Sequence, residues 1–354
     1  MKRITLSIFI ILISSGILKA QEAFTITGTV HNGKNEAIER ATVFIDGSQK
    51  GTVTNAQGEF KFSNIKPGTY QVIVSMIGYS SKKQNVIIQD QSVSLNTIMT
   101  EKPTVLREVK IGNDSQRKEN IKIFLKNFLG ESENAKQCKV LNLEILDFST
   151  IKKLLEATTD DFLIIENKSL GYRIKYLLRN FRYNKETSVT SYDGESMFEN
   201  LDGSDKEKNT WIANRKEAYE GSLMHYLRAL YKNTLTQEGF VTHEVMNNIQ
   251  PLQLAPTPVD MEKYINRTDS NFVKLKFKTR LYVVLNKGKA LISNNPDDKK
   301  TITQWMGKNG SIVKLFLEEA TVDSKGSYVD YRSFFIQGFW GGKRIGDQLP
   351  FEYN

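Results

Sequence analysis

Short segments that alternate apolar and polar residues, separated by tight turns, fill the sequence between Phe24 and Met99. The alternating segments are FTITGTV, ATVFIDG, EFKF and TYQVIVSM. A period of two residues is that of a strand with one buried face. The intervening HNGKN, DGSQKG, NAQGE and NIKPGT carry the Gly, Asn and Asp residues that tight turns favour. Several such strands in about 75 residues predict a small all-β sandwich.

The order of particular residues in this stretch adds a resemblance. In GTVTNAQGEFKF and IKPGTYQVIVSMIGY, the glycines, Pro67 and the Gly78-Tyr79 pair fall in the order of the carboxypeptidase regulatory-like module, a transthyretin-like sandwich of exported proteins of Bacteroidetes type. The chain resembles this module from Phe24 to about Ile98, and departs from it at Asn55, where the family often carries aspartate. The resemblance implies a non-catalytic accessory domain, not a carboxypeptidase.

From Ser115 onward the pattern changes to a mixture of helical and strand periods. We predict helices over SQRKENIKIFLKNFLG, DFSTIKKLLEAT and about Trp211 to Asn233, and strands over FLIIEN, LGYRIKYLLRNF, TSVTSYDG and NFVKLKFKTRLYVVLNKG. A hairpin is expected across Ser324 to Gly326. The fold class is therefore a transthyretin-like sandwich followed by an α+β domain, residues 115–354, with mainly antiparallel strands. LGYRIKYLL, RKEAYEGSLMHYLRAL and GFWGGKRIGDQLPFEY are similar to the domain found beside the module in such proteins, and that resemblance implies no activity.

The first 20 residues have the layout of a secretory signal peptide. Lys2 and Arg3 precede an apolar run that is too short to span a bilayer, and Ala20 offers a small residue for cleavage. Removal of this leader takes three of the nine excess positive charges. The remaining positive charge suits an anionic glycan or lipid surface, but the chain lacks the dense basic tract typical of nucleic-acid binding. We expect an exported protein of the periplasm or outer membrane, with the sandwich at 21–100 and a linker at 101–114.

The linker holds a second resemblance. Leu106, Glu108, Val109 and Ile111 follow the sandwich in the way that a Leu-x-Glu-Val-Val stretch follows the same module in TonB-dependent outer-membrane receptors. A plug and a large barrel do not fit in the remaining residues. Residues 105–112 are therefore either an interdomain β-linker or a segment that engages a TonB-like partner.

The sequence predicts no catalytic residue, no metal site and no cofactor. The three histidines, His31, His225 and His243, match neither His-x-x-Glu nor His-Glu-x-x-His, the spacings that bring two zinc ligands to one face. Glu244 adjoins His243, but neighbours in a strand point to opposite faces. A single cysteine, Cys138, excludes an intramolecular disulfide. No Gly-x-Ser-x-Gly elbow, phosphate loop or dinucleotide fingerprint is present.

Two sets of residues are candidates for binding. One is a basic strand face formed by Lys274, Lys276, Lys278 and Arg280, joined by Arg173, Lys175 and Arg179 if their strand lies on the same sheet. The alternative is a solvated face balanced by acids such as Glu318 and Glu319. The other candidate is His225. A helical wheel places it opposite the apolar stripe of Tyr219, Leu223, Tyr226, Leu227 and Leu230, so we expect it to be exposed or in contact with another element.

These observations favour a non-enzymatic cell-envelope protein with a binding or assembly role toward an envelope protein or an anionic glycan. Two alternatives stay open. One is a periplasmic hydrolase of peptide or glycan with its site in residues 115–354. The other is an accessory component of TonB-dependent uptake, acting through residues 105–112.

Overall fold

The structure, a computed structural model, describes residues 23–102, 114–267, 271–286, 302–304, 308–328 and 330–354. The expected signal peptide, nearly all of the expected linker and the whole of residues 105–112 lie outside the described residues. No helix in the described ranges is long and apolar enough to cross a membrane.

The N-terminal part is a sandwich of two four-stranded sheets. Its strands are β1 (Phe24–Asn32), β2 (Thr42–Ile45), β3 (Gly51–Val53), β4 (Glu59–Ile65), β5 (Gly68–Ser75), β6 (Tyr79–Ser80), β7 (Lys82–Ile88) and β8 (Val93–Glu101). The orders are β4-β1-β8-β6 and β3-β2-β5-β7, with β1 and β8 parallel. Alternating residues of both sheets, among them Ile26, Phe62 and Val72, form one core between them. The predicted sandwich is confirmed.

Asn55 holds the turn between β3 and β4. Its Oδ1 accepts hydrogen bonds from the backbone N–H of Gln57 at 3.0 Å and of Glu59 at 2.8 Å. Gly58 completes the turn with a φ of +73°, a conformation that a side chain rarely adopts. Asparagine therefore closes this turn in the place where the resembling family often has aspartate.

The first half of the region after residue 113 is a sheet covered by a helix. The helices are α1 (Asp114–Leu129) and α2 (Glu133–Lys136), and the strands are β9 (Cys138–Val140), β10 (Asp147–Ile151), β11 (Leu154–Thr158), β12 (Leu163–Asn167), β13 (Tyr172–Asn184) and β14 (Val189–Asn200). The order is β10-β11-β13-β12-β9, with β14 along β13. Phe124 and Phe128 of α1 pack on Tyr176 and Phe181 of β13. The predicted α1 and strands are present.

The helix predicted over DFSTIKKLLEAT is wrong. These residues form the β10–β11 hairpin, in which Phe148 pairs with Ala157 and Ile151 with Leu154. Lys152 at the turn takes a φ of +56°, which ends any helical path there. The β11 strand then pairs along β13. The long partner strand supplies the hydrogen bonds and the buried face, and so overrides local helix preference.

The second half contains two long helices, one short helix and two further sheets among the described residues. Helices α3 (Asp205–Tyr219), α4 (Leu223–Lys232) and the short α5 (Phe339–Gly342) accompany strands β15 (Phe240–Val245), β16 (Leu252–Leu254), β17 (Ile265–Asn266), β18 (Phe272–Leu275), β19 (Arg280–Leu285), β20 (Ile302–Gln304), β21 (Gly310–Leu315), β22 (Ala320–Asp323) and β23 (Phe334–Gly338). The orders are β20-β16-β15-β19-β21-β23 and β17-β18-β22. The pairs are antiparallel, as predicted, and a core separate from that under α1 lies between these sheets and α4.

The single helix predicted from about Trp211 to Asn233 is two helices. Gly221, with a φ of +73°, breaks the path, and the Ser222 side chain caps α4 by accepting from the backbone N–H of His225. The Glu220-Gly221-Ser222 break turns the chain so that α3 packs on the first core and α4 on the second.

The single strand predicted over residues 272–285 is also two strands. β18 and β19 belong to different sheets, and Lys276 to Thr279 connect them. The predicted apolar side is nevertheless buried throughout, at Val273, Leu275, Phe277, Leu281 and Val283. The hairpin expected across Ser324 to Gly326 is present only as a turn, in which the Gly326 N–H donates to the Asp323 carbonyl at 3.0 Å, followed by an isolated bridge between Val322 and Tyr328.

Candidate functional site

The sandwich is joined to the rest of the chain along the edge of β14. The Gly47 N–H donates to the Ser196 carbonyl at 2.8 Å, and the Phe198 N–H donates to the Ser48 carbonyl at 2.9 Å. Between these bonds, the Ser196 N–H donates to Asp46 Oδ1 at 2.7 Å. The loop after β2 therefore extends the β13–β14 ribbon as if it were a further short strand.

A buried carboxylate reinforces this junction. Glu195 of β14 has a fully covered side chain, and its Oε1 lies 2.9 Å from Arg179 Nη2 and 3.1 Å from Lys83 Nζ of the sandwich. Arg179 Nε also donates to Oε2 at 3.0 Å. A buried carboxylate needs such partners, because an uncompensated charge in the interior is strongly destabilising. The ion cluster thus ties the two parts together.

A second polar cluster joins the sandwich to the turn after β22. Asp323 is fully buried and its Oδ2 accepts from the Thr69 N–H at 2.9 Å and the Thr69 hydroxyl at 3.1 Å. The Lys325 ammonium pairs with the same carboxylate and lies 4.2 Å from the centre of the Tyr70 ring. Burial lowers the pKa of Lys325, although the Asp323 charge opposes that shift.

The C-terminal residues pass through the same junction. The Phe351 N–H donates to the Gly47 carbonyl at 2.9 Å, and the Gln49 N–H donates to Glu352 Oε2 at 3.0 Å. Arg228 of α4 donates to three backbone carbonyls, of Lys325 at 2.9 Å, Tyr353 at 2.7 Å and Phe351 at 3.1 Å. One buried guanidinium therefore fixes both the turn after β22 and the end of the chain.

These contacts surround a cavity of about 500 Å³. The sandwich contributes the loop after β2 and parts of β5 and β7, the first core contributes β13 and β14, and the second contributes the start of α4, the turn after β22 and α5. Aromatic rings form much of its wall, and they belong to Tyr70, Tyr176, Tyr192, Phe198, Tyr328, Trp340 and Phe351. Ligand cavities commonly fall in this size range and at domain junctions. We refer to it as the junction cavity.

The junction cavity is lined by equal numbers of acidic and basic side chains. Three are acidic and three are basic, namely Asp46, Asp347, Glu352, Lys325, Lys343 and Arg344. Lys325 pairs with Asp323, and Lys343 lies 3.4 Å from Asp347. Burial raises the pKa of Asp46 to about 6, against the hydrogen bond from the Ser196 N–H, and the nearby Glu195 charge adds to the rise.

Two uncharged polar groups also meet the cavity. The Tyr176 side chain is 4 % exposed and lines the cavity, and its hydroxyl is not hydrogen-bonded to a described residue. Burial raises the pKa of Tyr176 well above its usual range, so the hydroxyl stays protonated and available as a donor. Tyr328 also lines the cavity, and burial raises its pKa to about 12.

The structure does not bring the predicted basic residues together. Arg173, Lys175 and Arg179 lie on β13, whereas Lys274 lies on β18 and Arg280 on β19, in other sheets. Arg173 pairs with Glu166 at 2.7 Å and Lys175 with Glu199 at 2.5 Å.

The cations of the other strands have similar surroundings. Lys274 pairs with Glu319 at 3.0 Å, in agreement with a balanced strand face, and Arg280 donates to the Asn247 carbonyl. Lys276 and Lys278 are exposed in the connection after β18. The condition for one basic face of seven residues, that their strands share a sheet, is not met, because β13, β18 and β19 belong to three different sheets. Binding of an anionic glycan by these residues stays a prediction.

His225 is buried, so of the two positions expected for it, exposed or in contact with another element, the structure has the second. Its Nδ1 accepts from the Gly221 N–H at 3.0 Å, and its Nε2 lies 2.5 Å from Glu238 Oε2. The ring is 4.8 Å from that of Phe240, centre to centre. The second side of α4 is covered as well, since Arg228 and Ala229 are also buried. His225 thus closes the break between α3 and α4.

No group of three or more His, Cys, Asp or Glu among the described residues is arranged to hold a metal ion. His243 is fully buried on β15 with its Nδ1 2.9 Å from the Ala255 carbonyl, while Glu244 accepts from the Tyr264 hydroxyl on the other face. Burial raises the pKa of Cys138 to about 12, which keeps its thiol protonated and unreactive.

Comparison with known families bears on the sandwich. The family model of the CarboxypepD_reg-like domain matches residues 26–111. This part of the chain is a carboxypeptidase regulatory-like domain. The regulatory-like domain supplies Asp46, Gly47, Thr69 and Lys83 to the junction described above.

Solved structures share a likeness over about a quarter of the chain. A cohesin and X-dockerin complex from Acetivibrio cellulolyticus is 23 % identical, over 22 % of this chain and 56 % of that chain, with a TM-score of 0.19. A streptococcal ancillary pilin is 12 % identical over 23 % of this chain and 33 % of that one, with a TM-score of 0.21. A catechol 1,2-dioxygenase from Pseudomonas arvilla C-1 is 8 % identical over 25 % and 56 %, also with a TM-score of 0.21.

The chain thus spans about half or less of each of these structures, and TM-scores near 0.2 carry no argument about function. No curated protein matches the chain.

Sequence reasoning missed the junction cavity entirely. Its residues come from eight separate stretches of the chain between Ile45 and Glu352, and the closing phrase GDQLPFEY gave no sign that it returns to the sandwich. A signal was present in the run SYVDY near the turn after β22 and in the alternating tyrosines of β13. Of these tyrosines, Tyr172 and Tyr176 belong to the first core, and Tyr176 also lines the cavity.

Proposed function

We propose that this protein is a non-enzymatic binding protein of the cell envelope, in which the regulatory-like domain and the α+β region act as one recognition unit. The observation that carries the proposal is the junction cavity, whose wall needs residues from both parts. Removing either part would open the cavity to bulk solvent and take away polar groups that line it, such as Asp46 in the one part and Lys343 in the other.

The junction has the features of a fixed arrangement. Backbone hydrogen bonds extend β14 into the regulatory-like domain, and buried carboxylates pair with groups from the opposite part at Lys83–Glu195 and Thr69–Asp323. Buried ion pairs favour one specific docking geometry, because displaced partners are left as unpaired charges. A pre-formed cavity binds with little ordering cost.

The partner classes are those expected from the sequence, an envelope glycan or an envelope protein. The test is a pull-down from envelope extract with residues 21–354 as bait, followed by identification of the retained glycan or protein. Asn85, an exposed β7 residue at the cavity rim, is changed to Trp to obstruct the cavity. Ser94→Trp, at an exposed β8 position away from the cavity, is the matched control.

Binding through the cavity predicts that the wild type and Ser94→Trp retain the same component and that Asn85→Trp loses it. Equal retention by all three proteins would place the binding surface elsewhere. Retention by none of them would remove the support for a binding role in this envelope.

A hydrolase is the second candidate, and the observation that favours it is the pKa of about 6 for Asp46 in the junction cavity. A carboxyl group of this kind can act as a general acid near neutral pH. Glycoside hydrolysis also needs a second carboxylate at a set distance. Release of reducing ends from an envelope glycan by the wild type, and its loss in Asp46→Asn, would favour the hydrolase over the binding protein.

A further inference from the structure

The wall of the junction cavity combines flat aromatic surface with hydrogen-bonding groups. Tyr176, Tyr192, Phe198, Tyr328 and Trp340 supply the rings. Rings of this kind pack well against the C–H groups of a ligand, because the hydrogen of a C–H bond is weakly positive and the face of the ring is weakly negative. A ligand for this cavity therefore needs a surface that is apolar on one side.

The polar groups at the same wall are of mixed type. Asp46 is an acceptor with one oxygen already committed to the Ser196 N–H, and the Tyr176 hydroxyl is both donor and acceptor with no described partner. Ser222, Ser327 and Gln71 add further polar lining. Such a set suits groups that both donate and accept, as hydroxyls do, better than groups that do one alone.

The charges of the wall argue against a charged ligand. Three acidic and three basic side chains line the cavity, and Lys325 and Lys343 already have carboxylate partners. Arg344 lies over the Tyr192 ring at 5.8 Å. An ammonium or a carboxylate entering the cavity would meet both signs, so it would gain little attraction and lose its hydration.

From these observations, we infer that the junction cavity binds a neutral saccharide unit, with the aromatic wall against the sugar ring and with Asp46 and the Tyr176 hydroxyl bonded to sugar hydroxyls. This inference rests on the proposed binding function and names the class of ligand. The volume of about 500 Å³ suits one or two sugar units.

The test measures binding of residues 21–354 to an array of neutral, amino and acidic oligosaccharides, followed by calorimetric titration with the best soluble disaccharide. We expect binding to neutral members, and its loss in Asn85→Trp but not in Ser94→Trp. Tyr176→Phe keeps the ring and removes the hydroxyl, and it should weaken binding about tenfold. Asp46→Asn keeps an acceptor for the Ser196 N–H and should also weaken binding about tenfold.

Several results would overturn the inference. One is binding restricted to amino or acidic sugars. Another is binding that Tyr176→Phe and Asp46→Asn leave unchanged while both variants still unfold cooperatively on heating. The third is absence of binding to every neutral member. If the array shows no binding while Asn85→Trp still loses the component retained in the envelope pull-down, the assignment of a saccharide ligand is wrong and the binding function stands. If Asn85→Trp changes neither the array binding nor the pull-down, both the saccharide ligand and binding through the junction cavity are wrong.

Discussion

The ion cluster at Glu195 allows a quantitative prediction about the junction between the two parts. Changing Glu195 to Gln removes the negative charge and leaves Arg179 and Lys83 without their carboxylate. Breaking a fully buried pair costs about 3 to 5 kcal/mol. The side chains of Arg179 and Lys83 keep 35 % and 23 % exposure, so water compensates part of the loss. We therefore expect the free energy of unfolding to fall by about 2 kcal/mol.

The measurement is urea unfolding followed by tryptophan fluorescence, and the chain supplies a matched control. Glu199→Gln removes a carboxylate from the same strand, where Glu199 is 38 % exposed and pairs with Lys175. Pairs of that kind contribute about 0 to 1 kcal/mol. Lys83→Met, combined with Glu195→Gln, measures the coupling across the junction. A Glu195→Gln loss no larger than that of Glu199→Gln would refute the assigned role of the cluster.

Three further predictions concern single groups at the same junction. Arg228→Met should lower the free energy of unfolding by about 3 kcal/mol in urea unfolding, because three carbonyl bonds are lost, and Arg228→Lys should recover part of it; equal stability of all three proteins would contradict this. The pKa of Asp46 rises from 3.8 to about 6 on folding, so the free energy of unfolding should fall by up to about 3 kcal/mol as the pH rises from 4 to 6. Asp46→Asn should flatten this pH dependence in unfolding curves recorded across the range. An unchanged pH dependence would count against a buried Asp46. His225→Phe should lower the free energy of unfolding by about 2 kcal/mol in the same assay, since Gly221 and Glu238 lose a hydrogen-bond partner. The affinity for the saccharide should stay within twofold of wild type in calorimetric titration. A large loss of affinity without a loss of stability would assign His225 to the binding site.

The sandwich could be predicted from sequence because local pattern and tertiary structure agree there. Each strand alternates with a period of two, and each turn carries residues such as Asn55 and Gly58 whose side chain or φ requires a turn. The apolar side of residues 272–285 could be predicted for the same reason. The change of sheet at residue 276 could not, since alternation continues through the connection.

The errors lie where a distant partner decides the structure. Residues 147–158 have apolar spacing that fits a helix, and they form a hairpin because β13 is available as a partner. The helical wheel placed His225 opposite the apolar stripe, and it could not show that the C-terminal residues cover Arg228 on the same helix. Such cover depends on contacts between residues more than 100 positions apart.

The junction cavity was beyond sequence reasoning for a related physical cause. Asp46 and Tyr176 are unremarkable in their own segments, one after a short strand and the other within an alternating strand. Their shared position follows from the hydrogen bonds of Gly47 and Ser48 to β14, which a linear pattern does not encode. The chemistry of the site is therefore a property of how the two parts dock.

A crystal structure of residues 21–354 soaked with the tightest neutral disaccharide of the array would test the central claim most directly. The proposal predicts sugar density in the junction cavity, against the aromatic wall and within hydrogen-bond distance of Asp46 and the Tyr176 hydroxyl. Sugar density at another surface, with the junction cavity empty, would contradict it.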